Sequence, residues 1–321
     1  MESYWDDPTR TDLAVEAHAA AGRGRRLEGV TVEASTVDGV QREEVRVRTE
    51  SAARRLGKPV GRYVTLNFPD LLDRDREGRA RLTDAIRREL DDVMALSSHS
   101  QVLVVGLGNW NATPDALGPR VVGRIVVTRH LHGGLPQDLR GRLRPVAAVA
   151  PGVLGITGME TGEIVQGIVE RVRPDVVVAI DALAARSVHR IGTTFQIADT
   201  GIHPGSGVGN RRAALNRETL GVPVIAVGVP TVVHAVTIVR DAMHMMVERL
   251  RERSEFLDLL GEDEDEIPGL IGEVVDPAVG SMMVTPKEID RLIGDLVGVL
   301  AGALNASLHP GITPQIMEWY N

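Results

Sequence analysis

The sequence predicts an α/β protein in which a mainly parallel β-sheet is flanked by helices and carries an inserted β-hairpin. The runs Val102–Val105 and Val176–Ile180 are continuously apolar, as in strands that are covered on both faces. Beyond Gly118, such runs alternate with segments of helical apolar spacing, which is typical of βαβ units. Nearer the N-terminus, two segments of alternating polarity flank the turn signal Asp38-Gly39 and predict the hairpin.

The individual elements follow from the same periodicities. A helix is expected over Leu13–Ala21, where helix-forming residues follow Thr11 or Asp12 as the N-cap. The hairpin pairs Val30–Glu33 with Glu44–Arg48. The remaining expected elements are strand Arg62–Asn67, helix Leu82–Leu96, helix Gly118–Val127, strand Val146–Val149, helix Thr161–Val172, strand Thr194–Ile197, helix Arg211–Leu220, strand Val224–Val227, helix Thr231–Arg251, the segment Met282–Pro286 and a helix from Lys287 to about Leu304.

The composition limits the classes of function. A chain of 321 residues with 43% hydrophobic content can bury one large core, and its net charge of −8 argues against a nucleic-acid partner. The absence of cysteine excludes disulfides, thiolate metal sites and a cysteine nucleophile. The N-terminus has no signal-peptide pattern and no later apolar run approaches membrane-spanning length, so a cytoplasmic protein without a membrane partner is expected.

The loop after the strand Val102–Val105 is the first candidate for a functional site. Gly106 and Gly108 permit tight turns, and Pro114 cannot lie inside a sheet, so the chain leaves the sheet before Asp115. Ligands of open α/β sheets bind at that edge. A dinucleotide site is rejected because Asn111 stands at the third glycine position of that motif. Three polar side chains of the loop are candidates for substrate contact: Asn109, Asn111 and Thr113.

A second carboxylate follows the strand Val176–Ile180, and Asp181 is therefore expected at the same edge as Asp115. Two neighbouring carboxylates can share a proton and activate a water for attack on an amide. Each residue alone also has a purely structural interpretation. Asp115 can accept backbone hydrogen bonds in a turn, and Asp181 can N-cap an Ala-rich helix after it.

A long polar loop, Asp199–Asn210, contains two further candidates for substrate contact, His203 and Ser206. It begins with Asp-Thr-Gly, the signature of pepsin-like proteases, but in an α/β context the match is interpreted as a coincidence. The spacing around Ser206 does not form a nucleophile elbow, which disfavours a serine hydrolase.

Three other histidines are candidates for metal ligands or site residues. His130 and His132 have no zincin motif around them and are interpreted as surface residues, so no metal site is assigned. His234, near the start of the expected Thr231 helix, faces either a cleft or the core.

Six motifs in order resemble the germination protease family of endospore-forming bacteria, from about residue 10 to the C-terminus. They are Arg10–Ala17, Gly106–Pro119, Ala150–Thr161, Ile180–Arg186, Asp199–Asn210 and Val227–Val233.

This resemblance implies an endopeptidase that begins the degradation of small acid-soluble spore proteins during germination, in the spore core. It implies a homotetramer, no cofactor, and an atypical aspartic mechanism on a fold like that of the hydrogenase-maturation peptidases. The essential aspartates of the family fall on Asp115 and Asp181. The sequence does not assign which of them is the base. His234 departs from the acidic residue more common in the family.

The resemblance also implies a zymogen that removes its own leader. Residues Met1–Asp12 would be the propeptide, the cleaved bond would join Asp12 to Leu13, and residues 13–321 would form a single peptidase domain. The acid followed by Leu-Ala-Val-Glu is similar to the substrate motif of the family.

Two rival functions remain open. A metal-dependent peptidase would use Asp115, Asp181 and His203 as ligands. A non-catalytic protein would bind spore proteins without cutting them.

Overall fold

The computed structural model describes residues 11–22, 27–69, 76–134, 142–203, 213–253, 280 and 282–311. Residues 1–10 of the expected leader and Ser206 lie outside this part. Within it, nine strands form one sheet. The strands are β1 (Val30–Val37), β2 (Val40–Val47), β3 (Gly61–Asn67), β4 (Val102–Gly106), β5 (Val146–Val149), β6 (Val176–Ala185), β7 (Thr194–Ala198), β8 (Val224–His234) and β9 (Met283–Val284).

The α-helices of the same residues lie between these strands, before them and after them. They are α1 (Ala14–Gly22), α2 (Glu50–Leu56), α3 (Arg76–Met94), α4 (Leu117–Val122), α5 (Leu154–Thr157), α6 (Thr161–Val172), α7 (Arg217–Leu220), α8 (Ala235–Arg253) and α9 (Ile289–Leu308). Among these, α2 and α5 were not predicted. The α2 helix is set by its ends, since Thr49 caps its N-terminus and Gly57 ends it in the left-handed conformation.

The strand order is β1-β2-β3-β7-β8-β6-β4-β5, with β9 paired to β8. The α/β class and the large sheet flanked by helices are confirmed, but the sheet is mixed and not mainly parallel. Strands β5, β4, β6 and β8 run parallel and form what we call the parallel half. Strands β1, β2, β3 and β7 form the antiparallel half, which joins β8 through β7. The expected hairpin of β1 and β2 is antiparallel, because a short connection joins its strands. It continues the sheet through its pairing with β3.

The strand β6 extends beyond the predicted end at Ile180 and continues to Ala185. The expectation that Asp181 lies at the carboxyl end of the strand is therefore wrong, and so is the alternative in which it caps an Ala-rich helix. Asp181 and the residues after it pair with Gly228–Val233 of β8. These pairings override the helix preference of the alanines, which is a weak determinant in a tertiary context.

The strand β8 likewise extends beyond Val227 to His234, so the helix predicted from Thr231 begins only at Ala235. Val233 and His234 pair with β9, and Thr231 therefore lies within the strand. His234 is buried at the end of β8 and not on a helix.

Other helix boundaries also differ from prediction: α3, for example, begins at Arg76 and not at Leu82. The helix predicted over Gly118–Val127 ends at Val122. Of the helix predicted over Arg211–Leu220, residues 211–212 lie outside the described residues, and only Arg217–Leu220 is helical within them. Asn216 begins that turn because its side chain accepts a hydrogen bond from the Thr219 N–H at 2.9 Å.

Three helices cover the sheet next to the candidate site. The α3 helix packs on β2, β3 and β7, α4 packs on β4, β5 and β6, and α9 contacts both helices. With 20 residues, α9 is long and apolar enough to cross a membrane, contrary to the sequence expectation. However, 67% of its apolar window is buried in this fold, as in a core helix of a globular domain.

Candidate active site

The loop between β4 and α4 is pressed onto β6 by close backbone contacts. The Leu107 N–H donates a hydrogen bond to the Ile180 carbonyl at 2.8 Å. A Cβ on Gly106 would lie 2.2 Å from the Gly118 carbonyl oxygen, and one on Gly118 would lie 2.6 Å from the Ile180 oxygen. Only glycine fits at these contacts. The loop is thereby fixed beside the residue that precedes Asp181.

Asp115 ends a single 3-10 turn, Thr113–Asp115, which packs against β6 and β8. Its Oδ2 accepts a hydrogen bond from the Asn109 N–H at 2.7 Å. Gly108 has a φ of +114°, and a Cβ there would lie 2.0 Å from the Asp115 carbonyl oxygen. The loop conformation that presents Asp115 therefore depends on glycine at that position.

The three other predicted residues of this loop contact the protein itself. The Asn109 Oδ1 accepts a hydrogen bond from the Asn111 N–H at 3.0 Å, which closes the turn locally. The Thr113 hydroxyl donates to the Asp290 Oδ1 on α9 at 3.0 Å. These contacts hold the loop in place between the sheet and the last helix.

Asp181 lies within β6 and is only 7% exposed. Its Oδ1 accepts a hydrogen bond from the Ala182 N–H at 2.9 Å. On the neighbouring strand β8 its register partner is Gly228, whose partner on β7 is Gln196. Because adjacent strands are about 4.8 Å apart, Asp181 and Gln196 lie on either side of a residue that has no side chain.

A cavity of about 520 Å³ opens over this row of residues. In the described part of the chain, Asp115 is not among the residues that line it. Of the two aspartates proposed from the sequence, Asp181 lines the cavity, and the turn that carries Asp115 contacts the strands β6 and β8. Among the residues that line the cavity are Asp12, Lys58, Asp181, Gln196, His203 and Gly228.

Asp12, which precedes the peptide bond to Leu13, forms part of the wall of this cavity. The Asp12 N–H donates to the Ala184 carbonyl at 2.9 Å, and the Asp12 Oδ2 accepts from the Ala184 N–H at 2.8 Å. The Asp12 carbonyl oxygen accepts two hydrogen bonds, from Lys58 Nζ at 3.1 Å and from Gln196 Nε2 at 3.0 Å. The Leu13 side chain is fully buried. The segment is thus held on both sides of its peptide bond, as a bound substrate would be.

The carboxylate of Glu16, four residues after Asp12, is bound by several hydrogen-bond donors of the protein. Its Oε2 accepts from the Arg186 N–H at 2.7 Å and its Oε1 accepts from the Ser187 N–H at 3.0 Å. The Thr11 hydroxyl donates to the same carboxylate, and the Arg190 guanidinium lies 3.5 Å away. These hydrogen bonds and the nearby guanidinium offset the loss of hydration of the buried carboxylate.

The ammonium group of Lys58 lies in the cavity wall and contacts the backbone of the segment that contains Asp12. Its Nζ also donates to the Thr11 carbonyl at 2.9 Å. Burial lowers the pKa of the Lys58 ammonium below its usual value, while the carboxylates of Asp12 and Glu16 partly counteract the shift.

Comparison with known proteins identifies the family. A family model described as germination protease matches residues 10–255 and 246–321. The germination protease of Caldanaerobacter subterraneus is 48% identical over 313 residues, which cover 96% of each chain. That of Clostridium acetobutylicum is 47% identical over 297 residues, covering 89% of this chain and 91% of the relative. This chain belongs to the germination protease family. It is accordingly a hydrolase that acts on peptide bonds.

Two further comparisons gave less similar proteins. The germination protease of Bacillus velezensis is 41% identical over 330 residues, which cover 89% of each chain. Among solved structures, a nickel-iron hydrogenase maturation protease from Thermococcus kodakarensis is similar over 44% of this chain and 80% of its own. It has a TM-score of 0.30 and 24% sequence identity.

The other residues considered in the sequence lie in different parts of the structure. His203 lines the cavity, whereas Ser206 lies outside the described residues. The first aspartate of the Asp-Thr-Gly triplet, Asp199, accepts the Arg62 N–H at 2.8 Å and so fixes the start of β3. Away from the cavity, the His132 Nε2 lies 3.0 Å from the Leu143 carbonyl oxygen.

Sequence reasoning missed Lys58, Gln196 and Arg190. None of them belongs to a local motif, and the contacts of Lys58 and Gln196 with Asp12 span 46 and 184 residues of sequence. The nearest sequence signal is Gly57 before Lys58. A glycine there indicates the end of a helix, which Gly57 forms in the structure, but it does not indicate a functional site.

Proposed function

We propose that this germination protease is an endopeptidase that is made as a zymogen, cleaves its own chain between Asp12 and Leu13, and then degrades small acid-soluble spore proteins in the germinating spore. The observation that supports the proposal is the position of the Asp12–Leu13 peptide bond. Asp12, immediately before this bond, lines a cavity together with Asp181, and its segment is anchored to β6 through Ala184. A peptide group held in this way has already lost most of the freedom that a reaction must remove.

The proposed chemistry is hydrolysis by a water held between Asp115 and Asp181. One carboxylate is ionised and takes a proton from the water as its oxygen bonds to the Asp12 carbonyl carbon. The other is protonated and supplies a proton to the Leu13 nitrogen as the C–N bond breaks. The products are a carboxyl group on Asp12 and an amino group on Leu13. The two aspartates titrate as a pair, so the roles belong to the dyad.

The recognition of substrate is proposed to follow the contacts of the leader. An acidic residue before the cleaved bond would bind the Ala184 N–H, as the Asp12 carboxylate does. A glutamate four residues further on would bind the site that Glu16 occupies beside Arg190. A spore protein that carries the same acid-Leu-Ala-Val-Glu pattern would match both positions once the leader segment has left.

The same proposal includes a homotetramer located in the spore core. Its support is the family to which the chain belongs. In addition, the α8 helix exposes two methionine side chains that a subunit interface would cover, Met245 and Met246.

The decisive experiment replaces each aspartate by its uncharged isostere. In the purified full-length chain, we expect Asp115→Asn and Asp181→Asn each to slow release of the leader by about 10²–10⁴-fold, since proton transfer is lost. Mass spectrometry follows the appearance of a chain that begins at Leu13. The matched control is Asp38→Asn in the exposed β1–β2 turn, where asparagine tolerates the positive φ of 53°. Wild-type processing in both active-site variants would refute the dyad.

Two comparisons separate the rival functions. In the described residues, no group of three or more His, Asp and Glu side chains is arranged to hold a metal ion. Turnover that survives exhaustive chelation argues for the aspartic mechanism, whereas turnover restored by added Zn²⁺ argues for the metal-dependent one. Incubation of the processed chain with a small acid-soluble spore protein tests the binding alternative, since a pure binder leaves the substrate intact.

A further inference from the structure

We infer that Lys58 and Gln196 form the oxyanion-binding pair of this protease: both donate to the carbonyl oxygen of the bond to be cut. The inference rests on the proposed cleavage between Asp12 and Leu13. It assigns a catalytic role to two residues outside the aspartate dyad.

The first argument is the convergence of two side chains on one oxygen. The Asp12 carbonyl accepts from Lys58 Nζ at 3.1 Å and from Gln196 Nε2 at 3.0 Å. A backbone carbonyl beside a β-strand ordinarily accepts a hydrogen bond from a backbone N–H. The N–H of Asp12 has such a backbone partner, the Ala184 carbonyl. Here the partners are instead an ammonium and an amide from two separate elements of the fold.

The second argument is that the orientation of Gln196 is fixed. Its Oε1 accepts a hydrogen bond from the Ala14 N–H at 2.7 Å. One amide group therefore spans the bond to be cut, binding the carbonyl before Leu13 and the N–H after it. Since the oxygen faces Ala14, the NH₂ group must face Asp12. The donor is preorganised and needs no rearrangement when charge develops.

The third argument concerns how Lys58 is held. It follows the left-handed Gly57 that ends α2, and its own N–H donates to the Ala53 carbonyl at 3.2 Å. The Nζ bridges the carbonyls of Thr11 and Asp12. Burial of the ammonium lowers its pKa, and the same exclusion of water strengthens its attraction to a developing negative charge.

The chemical role follows from the reaction. When the water oxygen bonds to the Asp12 carbonyl carbon, the π electron pair moves onto the carbonyl oxygen, which becomes an oxyanion. Lys58 and Gln196 donate to that oxygen without transferring a proton to it. When the C–N bond breaks, the electron pair returns and re-forms the carbonyl. Loss of one such donor costs about 10²–10³ in rate in proteases.

The test measures the first-order rate of leader release by the full-length chain for Lys58→Met and Gln196→Glu. Methionine keeps the length of the lysine side chain and removes the donor. Glutamate keeps an acceptor for the Ala14 N–H and removes the N–H that faces Asp12. We expect each variant to process about 10²–10³-fold more slowly than wild type. The control is Arg55→Met on α2, an exposed residue outside the cavity lining, which should process at the wild-type rate.

The outcomes separate this inference from the proposed function. If the wild-type chain releases its leader at Asp12–Leu13 and both variants keep the wild-type rate, the oxyanion pair is wrong and the dyad is unaffected. If wild type cannot cut this bond, the proposed self-processing is wrong and the pair falls with it. Thermal unfolding of each variant shows whether it is folded. If Lys58→Met does not fold, the processing rate of a folded Gln196→Glu variant decides the question alone.

Discussion

The two halves of the sheet differ in sequence, in pairing and in what they bring to the cavity. Strands of the parallel half, such as β4, are continuously apolar and buried on both faces. Strands of the antiparallel half, such as β2, alternate and carry charged residues. The parallel half supplies Asp181, and the antiparallel half supplies Gln196. The cavity therefore lies where two kinds of sheet meet.

The site lies at β8, where the two halves of the sheet join. This strand is parallel to β6 on one side and antiparallel to β7 on the other. The segment at Asp12 crosses this boundary, bound to Ala184 of β6 and to Gln196 of β7.

The largest expected effect on leader release comes from adding a side chain at Gly228 of β8, where the two halves of the sheet meet. A Cβ on Gly228 would lie 2.5 Å from a Leu183 side-chain carbon, and valine would place further atoms between Asp181 and Gln196. We expect Gly228→Val to slow leader release by about 100-fold, because the peptide is displaced from its reactive position. Mass spectrometry of the purified chain measures the rate. Gly167→Val, on the exposed surface of α6 with open space around it, is the control. Equal rates for both variants would contradict a cavity shared by the two halves.

The next effect tests how the antiparallel half is stabilised. Burial alone would raise the pKa of Glu44, but hydrogen bonds from Arg42 and Arg46, with Arg62 nearby, lower it below its usual value. We expect Glu44→Gln to reduce the free energy of unfolding by about 2 kcal/mol at neutral pH. Because the folded pKa is lowered, this contribution is present above the unfolded pKa and is lost as the pH falls through the folded pKa.

The matched comparison lies in the parallel half. Leu103 of β4 is buried, and Leu103→Ala should cost about 2–5 kcal/mol through lost burial and a cavity, equally at acid and neutral pH. Denaturant unfolding at several pH values measures both variants. A Glu44→Gln deficit that persists unchanged at acid pH would show that the charge of Glu44 is not the source of the stability.

The smallest effect concerns the anchor of the leader on the parallel side. Glu16 binds the N–H groups of Arg186 and Ser187, which follow β6. We expect Glu16→Gln to slow leader release by about 10-fold, since the neutral amide forms weaker bonds to these donors and to Arg190. The rate is measured as above, with Glu28→Gln, outside the α1 segment, as the control. An unchanged rate would mean that the carboxylate site does not contribute to positioning the bond.

Much of the fold was predictable from the sequence because its strongest signals are local. The continuous apolar runs predicted β4 and the start of β6, and the Asp38-Gly39 turn predicted the hairpin. The extension of β6 through Asp181 was not predictable, because alanine-rich sequence favours a helix in isolation and only pairing with β8 makes it a strand. The same pairing effect moved the start of α8.

The candidate site was predictable only where chemistry coincides with local structure. Asp115 and Asp181 could be chosen because each is a carboxylate that follows a continuously apolar run of the sequence. Their joint catalytic role stays a prediction. Lys58 and Gln196 could not be chosen, because a single lysine after a helix and a single glutamine in a strand acquire meaning only through contact with Asp12.

The hydrogen bond between Thr113 and Asp290 also determines how late in synthesis the loop that carries Asp115 gains its contact with α9. It joins the turn that carries Asp115 to α9, across 177 residues of sequence. A ribosome adds about 5–20 residues per second, so this partner leaves the ribosome many seconds after the turn. The helix α9 also packs on α3 and α4, which cover both halves of the sheet. The nascent chain therefore lacks the full support of this loop until almost all of it has been translated.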